Sequence, residues 1–161
     1  MDIFLEELTA GFPDTAQMAR LLIRLGAAMV LGAIVGAQRE HIGKPAGLRT
    51  HILVAMGSAL FVIAAAGAGM SLSDMSRVIQ GLAAGIGFIG AGAILKLSQE
   101  REIQGLTTAA GIWMTAAAGV AAGLGLLGLA LLSVILTWFV LTGLGYIETW
   151  IKNRKDGNAA T

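Results

Sequence analysis

The stretch IQGLTTAAGIWMTAAAGVAAGLGLLGLALLSVILTWFVLTGLGYI, residues 103–147, contains no Asp, Glu, Lys or Arg. A helix that crosses the hydrocarbon core of a membrane needs about 20 mostly apolar residues. The stretch therefore predicts two membrane spans, at residues 106–123 and 127–146, because one helix of that length would be about twice too long. Gly123 and Gly125 predict a tight turn between the two spans.

Three further charge-free runs lie upstream, at positions 25–38, 50–73 and 78–95. They predict three more spans, at residues 20–38, 51–69 and 78–96. The first run is short, but the apolar sequence begins at Leu21, so Arg24 lies inside that span near one end, where its guanidinium can reach the interface. The runs lack the two-residue alternation of strands. The predicted fold class is all-α, a polytopic membrane protein of five transmembrane helices.

The composition excludes several classes of protein. Hydrophobic residues make up 56% and charged residues 13% of the 161 residues, whereas a soluble domain carries about 25% charge. The net charge of +1 does not provide the basic surface that binds nucleic acid. The sequence contains no cysteine, no Walker A motif and no Asp or Glu within a predicted span. We therefore predict no enzymatic activity, no cofactor and no metal site.

The distribution of Lys and Arg predicts the orientation. Three basic residues flank the spans on one side: Arg20, Arg24 and Arg77. Eight flank them on the other: Arg39, Lys44, Arg49, Lys96, Arg101, Lys152, Arg154 and Lys155. This bias places the N-terminus outside and the C-terminus in the cytoplasm. Residues 1–19 then form a leader on the periplasmic side that rests on the membrane surface, with Asp14 as a helix N-cap. Residues 20–146 form the five-helix domain, and residues 147–161 form a basic cytoplasmic tail.

Spans 3 and 4 align with spans 1 and 2 when residue 105 is placed on residue 47. Gly47-Leu48-Arg49-Thr50 then falls on Gly105-Leu106-Thr107-Thr108, and Gly32-Ala33 falls on Gly90-Ala91. Both units run in the same direction across the membrane, so the sequence predicts a parallel two-helix repeat followed by a fifth helix.

Span 3 is rich in glycine, at Gly81, Gly85, Gly87, Gly90 and Gly92. Three of them, Gly81, Gly85 and Gly92, share one face, which is typical of close helix packing. The alternative is that the glycines break the helix and expose backbone carbonyls along an ion or ligand pathway. The pattern GxGxxG also occurs here, but it lacks the strand that a dinucleotide site requires.

Polar residues cluster at the span ends and form a candidate functional motif: Arg39, Glu40, Arg49, Thr50, Arg77, Gln80, Thr107 and Thr108. Arg39 and Arg49 either meet lipid phosphates or pair with Glu40 in a folded loop. Arg77 and Gln80 enter span 3 from the outside. His41 and His51 lack further ligands in the sequence around them, which argues against a metal site.

Four motifs occur in order: Gly36-x-x-Arg39-Glu40, Ala46-Gly-Leu-Arg-Thr-His51, Gly85-Ile-Gly-Phe-Ile-Gly-Ala-Gly92 and Gly105-Leu-Thr-Thr-Ala-Ala-x-x-Trp113. This string, over residues 20–145, resembles the MgtC/SapB family of bacterial inner-membrane proteins. The resemblance implies a role in adaptation to low magnesium and in ion and membrane-potential balance. Family members that carry a cytoplasmic domain after the last span are longer. Here only a short tail follows Tyr146, so the chain is similar to the short, SapB-type members without that domain.

We therefore expect a non-enzymatic inner-membrane protein that modulates Mg²⁺-linked ion balance by binding a membrane-protein partner. The alternative is an oligomeric channel or carrier for Mg²⁺ or another small ion, with its pathway at the glycine-rich span 3. The expected partners are the lipid bilayer, a membrane protein and a second copy in a homodimer, with no nucleic acid.

Overall fold

In a computed structural model of the chain, residue 3 and residues 14–96 and 103–145 are described. Five helices follow in order: α1 (Thr15–His41), α2 (Leu48–Gly67), α3 (Leu72–Gly92), α4 (Leu106–Gly123) and α5 (Leu127–Phe139). The last helix continues as a π-helical turn over Val140–Leu144. The predicted count of five helices and the all-α class are confirmed.

The helix boundaries differ from the predicted spans where polar residues cap the ends. Asp14 caps α1 as predicted, its carboxylate accepting from the backbone N–H of Gln17 at 2.7 Å, so α1 begins before residue 20. The Ser71 hydroxyl accepts from the N–H of Asp74, so α3 begins at Leu72, ahead of the predicted position 78. Two predicted regions lie outside the described residues: the tail at 147–161 and, apart from residue 3, the part of the leader at 1–13.

The α3–α4 connection contains a two-residue antiparallel ladder, which was not predicted from the sequence. Strand β1 (Leu95–Lys96) pairs with β2 (Ile103–Gln104), so α3 ends at Gly92 and not at residue 96. The ladder satisfies backbone groups that an irregular connection would leave to water. It adds no layer to the helical bundle.

Among the described residues, four helices are long and apolar enough to cross a membrane: α1, α2, α4 and α5 with its π-helical turn. Helix α3 has 21 residues but is not among them. Its glycines, together with Asp74, Arg77 and Gln80, leave α3 without an 18-residue stretch as apolar as the most apolar stretch of each of the other four helices. Nevertheless α3 is one continuous helix, so the break considered at the glycines does not occur.

Helices α1, α2 and α4 form the core of the bundle. Helix α5 packs on α4 and α1, and helix α3 packs on α4 and α2. The core helices approach closely because glycines on one helix face the backbone of the neighbouring helix. A Cβ on Gly32 would lie 2.6 Å from the carbonyl oxygen of His51, and one on Gly119 would overlap the carbonyl oxygen of Ala55. Small residues at such interfaces let helices pack tightly in lipid, where no hydrophobic effect drives association.

The predicted repeat has counterparts in the structure. Helices α2 and α4 start at Leu48 and Leu106, which the repeat alignment pairs, and each is preceded by a glycine at the N-cap, Gly47 or Gly105. Gly32 packs against α2 beside His51, and its repeat equivalent Gly90 packs against α4 at Ala109, the equivalent of His51. The second contact is looser, at 3.5 Å from the Ala109 Cβ, so α3 lies further from the core than α1.

Candidate functional site

A buried arginine connects the end of α1 with the start of α4. Arg39 lies in the last turn of α1 and is 2% exposed. Its Nη2 donates to Thr108 Oγ1 at 2.8 Å, and Thr108 lies in the first turn of α4. The Nε of Arg39 is buried without a hydrogen-bond partner. A charged group with one neutral partner is costly in a protein interior, so this arrangement needs a functional or a structural explanation.

One α-helical turn into α2, a buried histidine makes the second polar contact. His51 is fully buried, and its Nδ1 lies 2.8 Å from Thr115 Oγ1 in α4. The Thr115 hydroxyl also donates to the carbonyl oxygen of Gly111 at 2.9 Å. Because the hydroxyl has one hydrogen, both bonds form together only when Nδ1 carries the imidazole proton and donates. The other ring nitrogen, Nε2, is buried without a partner.

These contacts lie along one face of α4, which we call the polar seam: Thr108, Gly111 and Thr115. Gly111 is part of it because a Cβ there would touch the His51 ring at 3.7 Å. The seam continues on α2 at Ser58, two turns beyond His51, whose hydroxyl is buried and unpartnered. Further along the same face of α4, the Cβ positions of Gly119 and Gly123 lie against the backbone of Ala55 and Ala59.

Glu40 caps a helix and forms no ion pair with Arg39 or Arg49 in the part of the chain that is described. Its Oε2 accepts from the backbone N–H of Leu48 at 2.8 Å. The same oxygen would lie 2.7 Å from a Cβ on Gly47, so the glycine leaves room for it. Glu40 thus supplies the N-cap that Gly47 lacks.

At the opposite end of the bundle, Arg24 holds the α4–α5 turn. Its Nη1 donates to the carbonyl oxygen of Gly123 at 3.0 Å, capping the end of α4. The guanidinium lies against Gly125, which has φ +83° and would place a Cβ 2.8 Å from Nη2. Arg24 therefore binds the protein's own backbone at the α4–α5 turn.

The glycines of α3 separate into two groups. Gly90 contacts Ala109, whereas a Cβ on Gly81, Gly85, Gly87 or Gly92 would meet nothing within 4 Å. The close packing expected on the shared face of Gly81, Gly85 and Gly92 therefore does not occur within the described chain. With Arg77 and Phe88, these three glycines form one exposed stripe, which we call the α3 outer face. On the inner side of α3, an apolar cleft of about 150 Å³ separates it from α4, between Ile86 and Trp113.

The structure thus brings together only part of the predicted motif. Arg39, Glu40 and Thr108 meet where α1, α2 and α4 converge; Arg49 and Thr107 are exposed nearby, and Thr50 is half-buried. Arg77 and Gln80 are exposed near the start of α3, at the other end of the bundle. Thr115 and Ser58 were not predicted. The sequence contained a signal for both residues. Thr115 follows Thr108 by seven positions and Ser58 follows His51 by seven, and residues seven positions apart lie on the same face of an α-helix.

The comparisons with known proteins agree with this architecture. The model of the MgtC family matches residues 25–150. SrpB of Synechococcus elongatus is 45% identical over 145 residues, which cover 82% of this chain and 80% of SrpB. The "putative magnesium transporter YhiD" of Escherichia coli K12 is 45% identical over 130 residues, 76% of this chain and 60% of YhiD. MgtC of Salmonella typhimurium LT2 is 41% identical over 117 residues, 71% of this chain and 48% of MgtC.

No solved structure matches the chain. The alignment spans about half of MgtC and three fifths of YhiD, so it concerns the helical region they share with this chain. The family model covers most of the sequence, and the helices are those of a membrane protein. This chain belongs to the MgtC family.

Proposed function

We propose that the chain is a non-enzymatic membrane modulator of Mg²⁺-linked ion balance that binds another membrane protein through the α3 outer face. The name of one relative, the putative magnesium transporter YhiD, associates that protein with magnesium. We place the N-terminus outside and the C-terminus in the cytoplasm of a bacterial inner membrane, following the Lys and Arg bias.

The observation that carries this proposal is a contrast between two exposed helix faces. The outer side of α5 presents large apolar side chains, such as Leu132 and Ile135, which suit lipid acyl chains. The α3 outer face presents glycines around one aromatic ring, Phe88, which is 83% exposed. Lipid gains little from contact with glycine, whereas a second helix can approach it closely. The α3 face therefore suits a helix of another protein better than lipid.

Photo-crosslinking in membranes tests the proposal. A photoreactive amino acid in place of Phe88 should capture another membrane protein, and the same probe in place of Leu132 on α5 should capture lipid only. Recovery of nothing but further copies of the chain would contradict modulation of a partner. Capture of lipid alone at both positions would contradict any helix contact at this face.

A growth assay connects the face to magnesium. In a deletion strain under magnesium limitation, Gly85→Leu should fail to restore growth, because a Leu side chain keeps a partner helix at a distance. Gly128→Leu is the matched control, since Gly128 in α5 also has nothing within 4 Å of its Cβ position. Equal growth with the two variants would refute a role for the α3 face.

The second candidate is the oligomeric channel or carrier for Mg²⁺ or another small ion. The observation in its favour is that Arg77 is exposed on the same stripe as Gly81 and Gly85, so copies meeting at α3 would line a space with these residues. Flux of Mg²⁺, other cations or anions into liposomes that contain the purified protein would support this candidate. Absence of flux in liposomes with verified insertion would exclude it.

A further inference from the structure

Arg39 carries a buried positive charge for which the described part of the chain supplies no counter-charge. A guanidinium has five N–H donors and keeps its proton under all ordinary conditions. Here one hydrogen bond is made, to the neutral hydroxyl of Thr108, and Nε has no partner. Buried charges in proteins are normally paired with an opposite charge, because removing an unpaired charge from water is costly. The site is therefore electrostatically incomplete.

The acidic residues of the described ranges do not complete it. Asp14 and Asp74 begin α1 and α3, at the opposite end of the bundle. Glu40 is next to Arg39 in sequence, but its carboxylate accepts from the N–H of Leu48. Glu100 and Glu102 lie outside the described residues. No carboxylate among residues 14–96 and 103–145 contacts the Arg39 guanidinium.

The same place holds the positive end of a helix. Helix α4 begins at Leu106 behind Gly105, which has no side chain to cap it, and its first backbone bond runs from Ala109 N to Gly105 O at 2.8 Å. The N–H groups of the first three residues have no acceptor within the helix. Arg39 donates to the side-chain hydroxyl of the third of these residues, Thr108. A guanidinium and a helix N-terminus each favour an anion, and phosphate oxygens can accept from both at once.

We propose that Arg39 and the first turn of α4 bind one phosphate group, either the headgroup of an anionic phospholipid or a free phosphate ion. The inference is independent of partner binding at α3. It places the site at the end of α1, which the charge bias assigns to the cytoplasmic headgroup level. Because Arg39 is only 2% exposed, phosphate binds when the Arg39–Thr108 hydrogen bond opens, so the ligand and the Thr108 hydroxyl compete for the guanidinium.

The test uses the full chain purified in a neutral detergent and stripped of lipid. Inorganic phosphate is titrated by calorimetry, and retention of phosphatidylglycerol is measured by native mass spectrometry. Arg39→Gln should weaken binding at least about tenfold, since a charge-assisted hydrogen bond is lost. Lys44→Gln is the control, because it removes an exposed basic residue from the α1–α2 connection at the same end of the bundle and should change affinity by less than about twofold.

Thr108→Val provides an independent variant that keeps the charge. It removes the competing hydroxyl, so it should bind phosphate as tightly as the unaltered chain or more tightly, even if Arg39→Gln does not fold. Binding of phosphate alone identifies the free ion, and retention of the lipid alone identifies the headgroup; either result supports the site. No binding of either probe, equal losses in Arg39→Gln and Lys44→Gln, or a tenfold loss in Thr108→Val would overturn the proposal.

Discussion

Replacing Thr115 by Val should lower the free energy of unfolding of the bundle by roughly 1.5 kcal/mol. The change keeps the shape of the side chain but removes the hydroxyl that lies 2.8 Å from His51 Nδ1. Hydrogen bonds between membrane helices average about 0.6 kcal/mol and reach about 1.7 kcal/mol. We expect a value at the upper end, because His51 is fully buried and its Nε2 has no hydrogen-bond partner among the described residues, so a buried ring loses the hydrogen bond that Nδ1 makes with the Thr115 hydroxyl.

Thr137→Val is the control for that experiment. Thr137 in α5 also donates to a carbonyl one turn earlier, that of Ser133 at 2.7 Å, but contacts no second side chain. Its replacement should change the free energy of unfolding by less than about 0.5 kcal/mol. Both variants are measured by reversible unfolding in mixed detergent micelles, and a double-mutant cycle with His51→Leu isolates the pair. Equal effects of the two Thr→Val changes, or a coupling energy near zero, would refute the reasoning.

Three further predictions concern helix contacts. Gly119→Ala should lower the free energy of unfolding by at least about 2 kcal/mol, because the new Cβ would overlap the Ala55 carbonyl. Gly81→Ala, where a Cβ meets nothing within 4 Å, should be neutral or raise the free energy of unfolding by up to about 1 kcal/mol in the same assay. Glu40→Ala should cost about 1 kcal/mol through loss of the α2 cap, and Glu40→Gln, which keeps an acceptor, should recover most of it. Arg24→Met should lower the free energy of unfolding by about 1 kcal/mol, because the Gly123 carbonyl loses its donor. Proteolysis at the α4–α5 turn should increase, and unchanged protection of that turn would contradict the contact.

The helices could be predicted from the sequence because membrane crossing imposes a local rule. A charge-free run of sufficient length must form a helix, and α4 begins at residue 106 and ends at residue 123 as predicted. Glycine and capping signals are also local, which is why Asp14 and the Gly123–Gly125 turn were found. The repeat alignment matched the starts of α2 and α4 since both share the same Gly-Leu sequence.

The contacts between helices could not be predicted in the same way. Arg39 meets a residue 69 positions later and His51 one 64 positions later, and neither spacing follows from a helical period. The sequence left open whether Glu40 pairs with a neighbouring arginine, and in the structure its carboxylate accepts from the backbone N–H of Leu48. The α3 glycines show the same limit: a shared face predicts close packing, but no described residue lies within 4 Å of a Cβ placed on Gly81, Gly85 or Gly92.

The long separations of the three arginine and histidine contacts impose an order on biogenesis. Arg24, Arg39 and His51 all bind partners in α4 or at its end, so the hairpin of α1 and α2 leaves the ribosome and enters the bilayer long before those partners are synthesised. Until α4 arrives, these three polar groups lack their partners, and only water, headgroups or the translocon can solvate them. A chain truncated after α3 should therefore be recognised by membrane quality-control proteases, and completion of α4 should be the step at which the newborn protein escapes degradation.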